Sequence, residues 1–221
     1  MLFDFATLSA DNRYKLLTAT VVPRPIAWIT SLDADGRLNA APFSFFNALV
    51  GDPPIVGIGI GGQHPGRLPG RWKDSAANIR TRGQFVVNLV PYALRRQMNV
   101  TAIEFDADVD EVAEAELATL PSSTVAPPRL AGSPVALECE RFVILEVAVD
   151  RTIVLGRVVA MHVRDDAVLD AERCHIDTPK LDLIGRMHGR GWYARTTDLF
   201  DMPRLAVADW MRRRQGGSHG T

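Results

Sequence analysis

The sequence predicts a mainly β fold, antiparallel and barrel-like, with a few short helices. Three observations carry that expectation. Residues 26–31 are apolar and end at Asp33-Ala34-Asp35-Gly36, whose Asp-Gly pair supplies the turn chemistry of a hairpin, and residues 38–42 read as the returning strand. Residues 85–90 (FVVNLV) are rich in the β-branched side chains that strands favour. Residues 135–149 and 152–163 form a long strand pair, apolar on both faces with Arg157 as the main exception. In its second member Thr152, Val154, Gly156, Val158, Ala160 and His162 share one face, while Ile153, Leu155, Arg157, Val159, Met161 and Val163 share the other. A pair of that length and character suits a barrel with an added interface or layer.

The remaining elements are shorter. Pro53-Pro54 opens a further apolar strand over residues 55–60. Residues 74–80 place a cap-type Asp74 ahead of helix formers, residues 91–98 read as a second short helix, and the acidic, alanine-rich residues 108–120 as a third. Residues 121–134, dense in Pro and Ser, read as an ordered loop. Without repeats or linkers, the chain is expected to form one domain over residues 1–204, with residues 205–221 as a frayed tail.

Composition narrows the function classes. The 221 residues are 47% hydrophobic and 23% charged, as in ordinary globular proteins. With 25 basic against 26 acidic residues the net charge is -1, so no nucleic-acid or anionic-membrane partner is expected. The first ten residues contain Asp4 and no basic stretch, unlike a secretory leader, and no apolar run approaches the ~20 residues of a membrane span. Cys139 and Cys174 are too few for a disulfide framework, which points to a reducing cytoplasm.

Gly57-Ile58-Gly59-Ile60-Gly61-Gly62 has the spacing of a dinucleotide-binding loop. That loop must open a helix whose N–H groups meet a pyrophosphate, and the Gln63-His64-Pro65-Gly66 that follows cannot begin one. These glycines are expected instead to let a strand bend or a ligand approach. His64, His162, His175, His188 and His219 are scattered and Cys174-His175 are adjacent, so no metal site is expected. No Ser-His-Asp or Cys-His spacing stands out either.

What remains suits a flat, anionic cofactor. Arg24 precedes the hairpin, Thr30 and Ser31 supply hydroxyls at the end of its first strand, and Phe43-Ser44-Phe45-Phe46-Asn47 gathers aromatic, hydroxyl and amide groups. Lys73-Asp74-Ser75 stands at a helix start, where N–H groups and the helix dipole favour a phosphate. FMN requires such a set: donors and a cation for the phosphate, apolar walls for the ring and donors at its polar edge. Each element also has a plainer reading, as core aromatics, a solvated lysine or a helix cap.

Taken in order, these residues resemble a known family. Arg24-Pro25-Ile26-Ala27-Trp28-Ile29-Thr30-Ser31, Asn39-Ala40-Ala41-Pro42-Phe43-Ser44-Phe45-Phe46-Asn47, Asp52-Pro53-Pro54, Lys73-Asp74-Ser75 with Asn78-Ile79, and Phe85-Val86-Val87-Asn88-Leu89 are similar to the flavin reductase-like, FMN-binding split-barrel family. Pro127-Pro128-Arg129, Ser133-Pro134-Val135, Gly185-Arg186-Met187-His188-Gly189 and Tyr193 continue the resemblance, which spans about residues 20 to 204. It implies a split β-barrel of antiparallel Greek-key type, a homodimer, and FMN near the subunit interface with NADH or NADPH as hydride donor. Carried over by position, Arg24, Trp28, Thr30, Ser31, Phe43, Ser44, Phe45, Phe46, Asn47, Lys73, Asp74, Ser75, Asn78 and Tyr193 are expected to bind the cofactor. His188 is the one candidate near the reactive face; the chemistry is the cofactor's, so no acid, base or nucleophile is required of the chain. Residues 61–71 are longer than the family pattern, a departure that bears on access to the flavin. Three functions fit: a reductase feeding a monooxygenase or another acceptor, a flavoredoxin-like carrier that does not use nicotinamide, and a flavin-free binding module of the same fold.

Overall fold

The computed structural model describes residues 1–61, 72–105, 109–189 and 191–216, with the backbone alone over 213–216. Most of the 61–71 loop, His64, His219 and Asp108 therefore lie outside the described residues. Helix α1 (Ala10–Thr20), which the sequence reading did not anticipate, opens on Ser9, whose hydroxyl accepts from the Asn12 N–H. Strands β1 (Ala27–Leu32) and β2 (Leu38–Phe43) form the expected hairpin, paired from Ala27↔Phe43 to Leu32↔Leu38. Its turn is fastened by Asp33, whose carboxylate accepts from the N–H groups of Asp35 (2.9 Å) and Arg37 (2.8 Å), and Gly36 takes the left-handed φ of 85°.

Strands β3 (Phe46–Val50) and β4 (Ile55–Gly61) follow, then α2 (Asp74–Arg82) and β5 (Gln84–Leu89). The glycine-rich segment is strand β4, as expected. A Cβ on Gly59 would stand 3.0 Å from Phe45 Cβ, and one on Gly57 2.5 Å from Leu49, so these glycines admit neighbouring side chains. Residues 91–98 become a 3-10 turn (Tyr92–Leu94) leading into α3 (Arg95–Val100). The helix expected over 108–120 is a correction. Only one turn forms, α4 (Glu111–Glu114), because Glu116 adopts φ 52° and redirects the chain into β6 (Thr119–Leu120), which pairs with β7 (Arg129–Leu130).

The long pair is β8 (Val135–Ala148) and β9 (Arg151–Val163). Short ribbons β10 (Val168–Asp170) with β11 (His175–Ile176), and β12 (Ile184–Arg186) with β13 (Tyr193–Arg195), complete the strands. The segment expected as a frayed tail carries helix α5 (Val207–Gly216).

The main sheet has seven strands in the order β2-β1-β5-β8-β9-β4-β3, every neighbouring pair antiparallel. β5 returns beside β1 rather than β4, a crossover of Greek-key type. The two edge strands, β2 and β3, are consecutive in the chain and joined only by Ser44 and Phe45. Phe43 and Phe46 are three Cα–Cα steps apart, roughly 11 Å at most, so the sheet must curl until its edges come close. No β2–β3 ladder forms among the described residues, and the result is a split barrel with a seam at Phe43–Phe46.

Alternation along the strands feeds separate cores. Ala27 and Ile29 of β1, Phe85 and Val87 of β5, and Leu137 and Cys139 of β8 fill the barrel, which α2 caps with Ala76 and Ile79. Trp28, on the opposite face of β1, packs outside with Met98, Leu130 and Ile184. Burial pushes the Cys139 thiol up to about 12, with the Glu138 charge adding to the effect.

The 121–134 loop is ordered by Glu138, whose side chain is fully buried. It accepts from Ser123 N (2.6 Å), Thr124 N (2.6 Å), Thr124 Oγ1 (2.5 Å) and Val125 N (3.2 Å), and lies 2.6 Å from His162 Nε2. Burial alone would raise this carboxyl; the hydrogen bonds from Thr124, Ser123 and His162 outweigh it and hold the pKa at about 2.

Candidate functional site at the barrel seam

Two hollows meet at the seam and share Pro42 and Phe43 in their walls. The smaller, of about 100 Å³, is lined by Asn39 of β2, the Lys73-Asp74-Ser75 start of α2, residues 101–105 and Glu111. The larger, of about 760 Å³, is roofed by Arg13, Tyr14 and Leu17 of α1 and floored by Phe43, Ser44, Phe45 and the Gly59–Gly61 end of β4, with Val147, Arg151 and Thr152 to one side. Tyr14 stacks on Phe45 at 6.1 Å between ring centroids and 26° between planes. One end is thus small and carries charged side chains, the other broad and largely apolar, as a ligand with a charged tail and a flat body requires.

At the polar end, Lys73 is the N-cap of α2; its carbonyl accepts from the Ala76 and Ala77 N–H groups, and its side chain makes no capping hydrogen bond. Lys73 Nζ lies 3.5 Å from Glu104, a loose and partly exposed pairing. Glu111 is different. Burial raises its carboxyl above the usual carboxylate range, opposed by the N–H groups of Glu111 and Ala40 and reinforced by the charge of Asp74. The end that carries the lysine is therefore held among carboxyl groups, and an anion seated there competes with Glu104 for Lys73. Ser75 is almost fully buried and its hydroxyl accepts from Asn39 Nδ2 at 3.0 Å.

The expected cofactor residues divide. Phe43, Ser44, Phe45, Lys73, Asp74 and Ser75 line the hollows. Trp28, Thr30 and Ser31 do not: each is fully buried, because both faces of β1 are covered. Trp28 Nε1 donates to Thr101 Oγ1 (2.9 Å), Thr30 Oγ1 donates to the Pro128 carbonyl (2.6 Å), and Ser31 Oγ accepts from Asn78 Nδ2 (3.1 Å). Asn78 is thereby also turned inward. Phe46 packs against the barrel core, and exposed Asn47 accepts from the Ala48 N–H.

Arg24 is 7% exposed and ties α1 to the 186–187 turn, donating to the carbonyls of Thr18 (2.8 Å), Val21 (2.8 Å) and Met187 (3.0 Å). Burial, with the charge of Arg186, lowers its pKa. Its guanidinium lies 5.9 Å from the Phe45 ring, so it steadies the seam from behind. Tyr193 lines a different cavity, and His188 is exposed and stacked on Trp192 at 5.7 Å, away from both hollows. Among the described residues no group of three or more His, Cys, Asp or Glu gathers as a metal site, and no helix is long and apolar enough to cross a membrane.

Sequence reasoning missed Arg13, Tyr14 and Leu17 because it missed α1. The signal was present: Ser9 as a cap, then Tyr14, Leu17, Thr18 and Val21 at helical spacing. It also missed Glu111 and Arg151, which reach the hollows only through the folding of distant segments.

Residues 19–177 match the flavin reductase like domain family. An uncharacterized protein of Deinococcus radiodurans is 44% identical over 223 residues, covering 99% of this chain and 96% of the relative. Among solved structures, 2-nitrobenzoate 2-nitroreductase NbaA of Pseudomonas fluorescens superimposes with a TM-score of 0.83 at 32% identity, over 94% of this chain and 98% of the other. Nitrilotriacetate monooxygenase component B of Bacillus cereus does so with a TM-score of 0.82 at 27% identity, over 91% and 98%.

Proposed function

The chain belongs to the flavin reductase-like family, and on that premise we propose that it is an FMN-binding oxidoreductase, reduced by NADH or NADPH, that passes electrons to an acceptor. The donor set fits FMN. In this reading the ring lies along Phe43, Ser44 and Phe45 beneath Tyr14, and the phosphate takes Lys73 and the first turn of α2. Bound flavin supplies a two-electron carrier that no side chain provides. The chain's own residues bind and orient: the Tyr14–Phe45 stack excludes water from one side, Gly59 lets Phe45 lie flat against β4, and Lys73 neutralises the tail.

The acceptor is a partner protein such as a monooxygenase, or a small molecule; component B of nitrilotriacetate monooxygenase, similar in fold and sequence, is named for the first arrangement. We also assign a second copy of this chain to the β8–β9 hairpin. Phe142, Leu145, Val147 and Val149 are exposed there, and Val147 belongs to the wall of the larger hollow, so a homodimer would complete the flavin site. Two cysteines without a disulfide agree with a cytoplasmic location.

The observation that carries the reading is the seam, where a cation, a helix start and an aromatic wall adjoin in two hollows that share Pro42 and Phe43. Anaerobic addition of NADH or NADPH to the FMN-loaded protein tests it: bleaching of the flavin band is expected with at least one of them. A flavin that binds but is never bleached makes the protein a carrier, and a protein that takes up no FMN is a flavin-free module.

A further inference from the structure

A third cavity, of about 540 Å³, shares no wall residue with the two seam hollows. It lies between the Tyr92–Leu94 turn with α3 on one side and the β12–β13 ribbon on the other, and its volume is in the range that encloses a small molecule. Among the described residues its walls carry Arg95, Arg96 and Arg195 and no carboxylate.

Two of these arginines are gathered by one ring. The Arg95 guanidinium lies 4.0 Å from the Tyr92 ring centroid and that of Arg195 4.3 Å from the same centroid, so two like charges are held close together. Arg95 donates to the Tyr92 carbonyl at 2.9 Å, a neutral acceptor that leaves its charge uncompensated. Asp182 balances only Arg195, accepting from its Nε (3.0 Å) and Nη2 (2.7 Å). The Arg96 side chain, on the exposed side of α3, makes no hydrogen bond or ion pair among the described residues. A further guanidinium, that of Arg186, stands 4.6 Å from the ring of Tyr193, itself a wall residue. Beneath this charged rim the floor is apolar, formed by Val100 with the buried Met98 and Ile184.

We propose that this cavity binds a small organic anion: an apolar body on Met98, Val100 and Ile184, and a carboxylate or phosphate held by Arg95 and Arg96 at the rim. A guanidinium presents paired N–H donors to either anion, and Arg95 and Arg96, which have no carboxylate partner among the described residues, are relieved by the negative charge. The recessed apolar floor selects a small molecule over an acidic protein surface, which would need only the rim. The inference is independent of flavin, since the cavity stands apart from the seam.

Calorimetric titration of the full chain with phenylacetate, phenyl phosphate, neutral phenylacetamide and inorganic phosphate tests it. One of the two aromatic anions is expected to bind at least about tenfold tighter than both phenylacetamide and inorganic phosphate, and the tighter one identifies the carboxylate or the phosphate source. Arg96→Ala, at an exposed position that should not disturb folding, is expected to weaken that anion about tenfold while leaving FMN affinity unchanged. Absence of binding by both anions overturns the proposal, as does an Arg96→Ala protein that binds them unaltered. Inorganic phosphate binding as tightly as either aromatic anion reduces the cavity to an adventitious ion site only. Binding that appears with acidic peptides alone assigns the rim to a protein partner instead.

Discussion

Strand β1 and the seam come from adjoining stretches of sequence and are built on opposite rules. On β1, Trp28, Thr30 and Ser31 are buried, and every polar atom among them is matched by Thr101, Pro128, Asn88 or Asn78. At the seam, Ser44 and Phe45 stay accessible and Lys73 holds a loose ion pair with Glu104. The comparison separates residues that shape the site from residues left available to a ligand. Both kinds sit in the same recognisable run of sequence, so a shared motif does not by itself say which of its members touches the cofactor.

The largest effect is expected from Trp28→Ala, which empties the outer core and removes the Nε1 donor from Thr101 Oγ1, whose own bond to the Met98 carbonyl remains. It should cost about 3–5 kcal/mol of stability in chemical denaturation, with FMN affinity of the folded protein little changed. An affinity loss as large as the stability loss would erase the division between the two regions. Lys73→Ala should behave in the opposite way. FMN affinity is expected to fall by ~1–3 kcal/mol in a fluorescence titration, while stability moves by less than about 1 kcal/mol, because the Glu104 pairing is partly exposed.

The last effect is read as a pH dependence and belongs to Glu138. Its folded pKa of about 2 lies below the ordinary 4.5, so its stabilisation is fully present above the unfolded value and is lost as pH falls from there through about 2. Acid unfolding should therefore steepen in that window, and Glu138→Gln should flatten the dependence there. An unchanged acid limb would mean that the 121–134 loop is held by other contacts.

Much of the fold was legible because strand signals are local. The Asp-Gly turn, the alternation in residues 152–163 and the β-branched run at 85–90 each report their own conformation. The closing of the sheet was not legible from composition or period, since it depends on the edges being joined by Ser44 and Phe45 alone. Nor was α4's brevity, which follows from one residue, Glu116, at positive φ. Of the site, the aromatic run and Lys73 were readable as chemistry. The inward turn of Thr30, Ser31 and Asn78 was not, because a hydroxyl or amide looks the same in sequence whether it faces a ligand or a neighbouring strand. Arg24 misleads for a related reason: its charge suggests a phosphate, yet its Nη1 and Nη2 serve three backbone carbonyls.

Cys139, sealed in the barrel core with its thiol pushed up to about 12, has a practical consequence. Alkylating reagents attack the thiolate, so in the native state exposed Cys174 is the sulfur they meet. A second label per molecule then marks a moment when the barrel has come apart, and its rate of appearance is a clock for opening that the chain carries without any added probe.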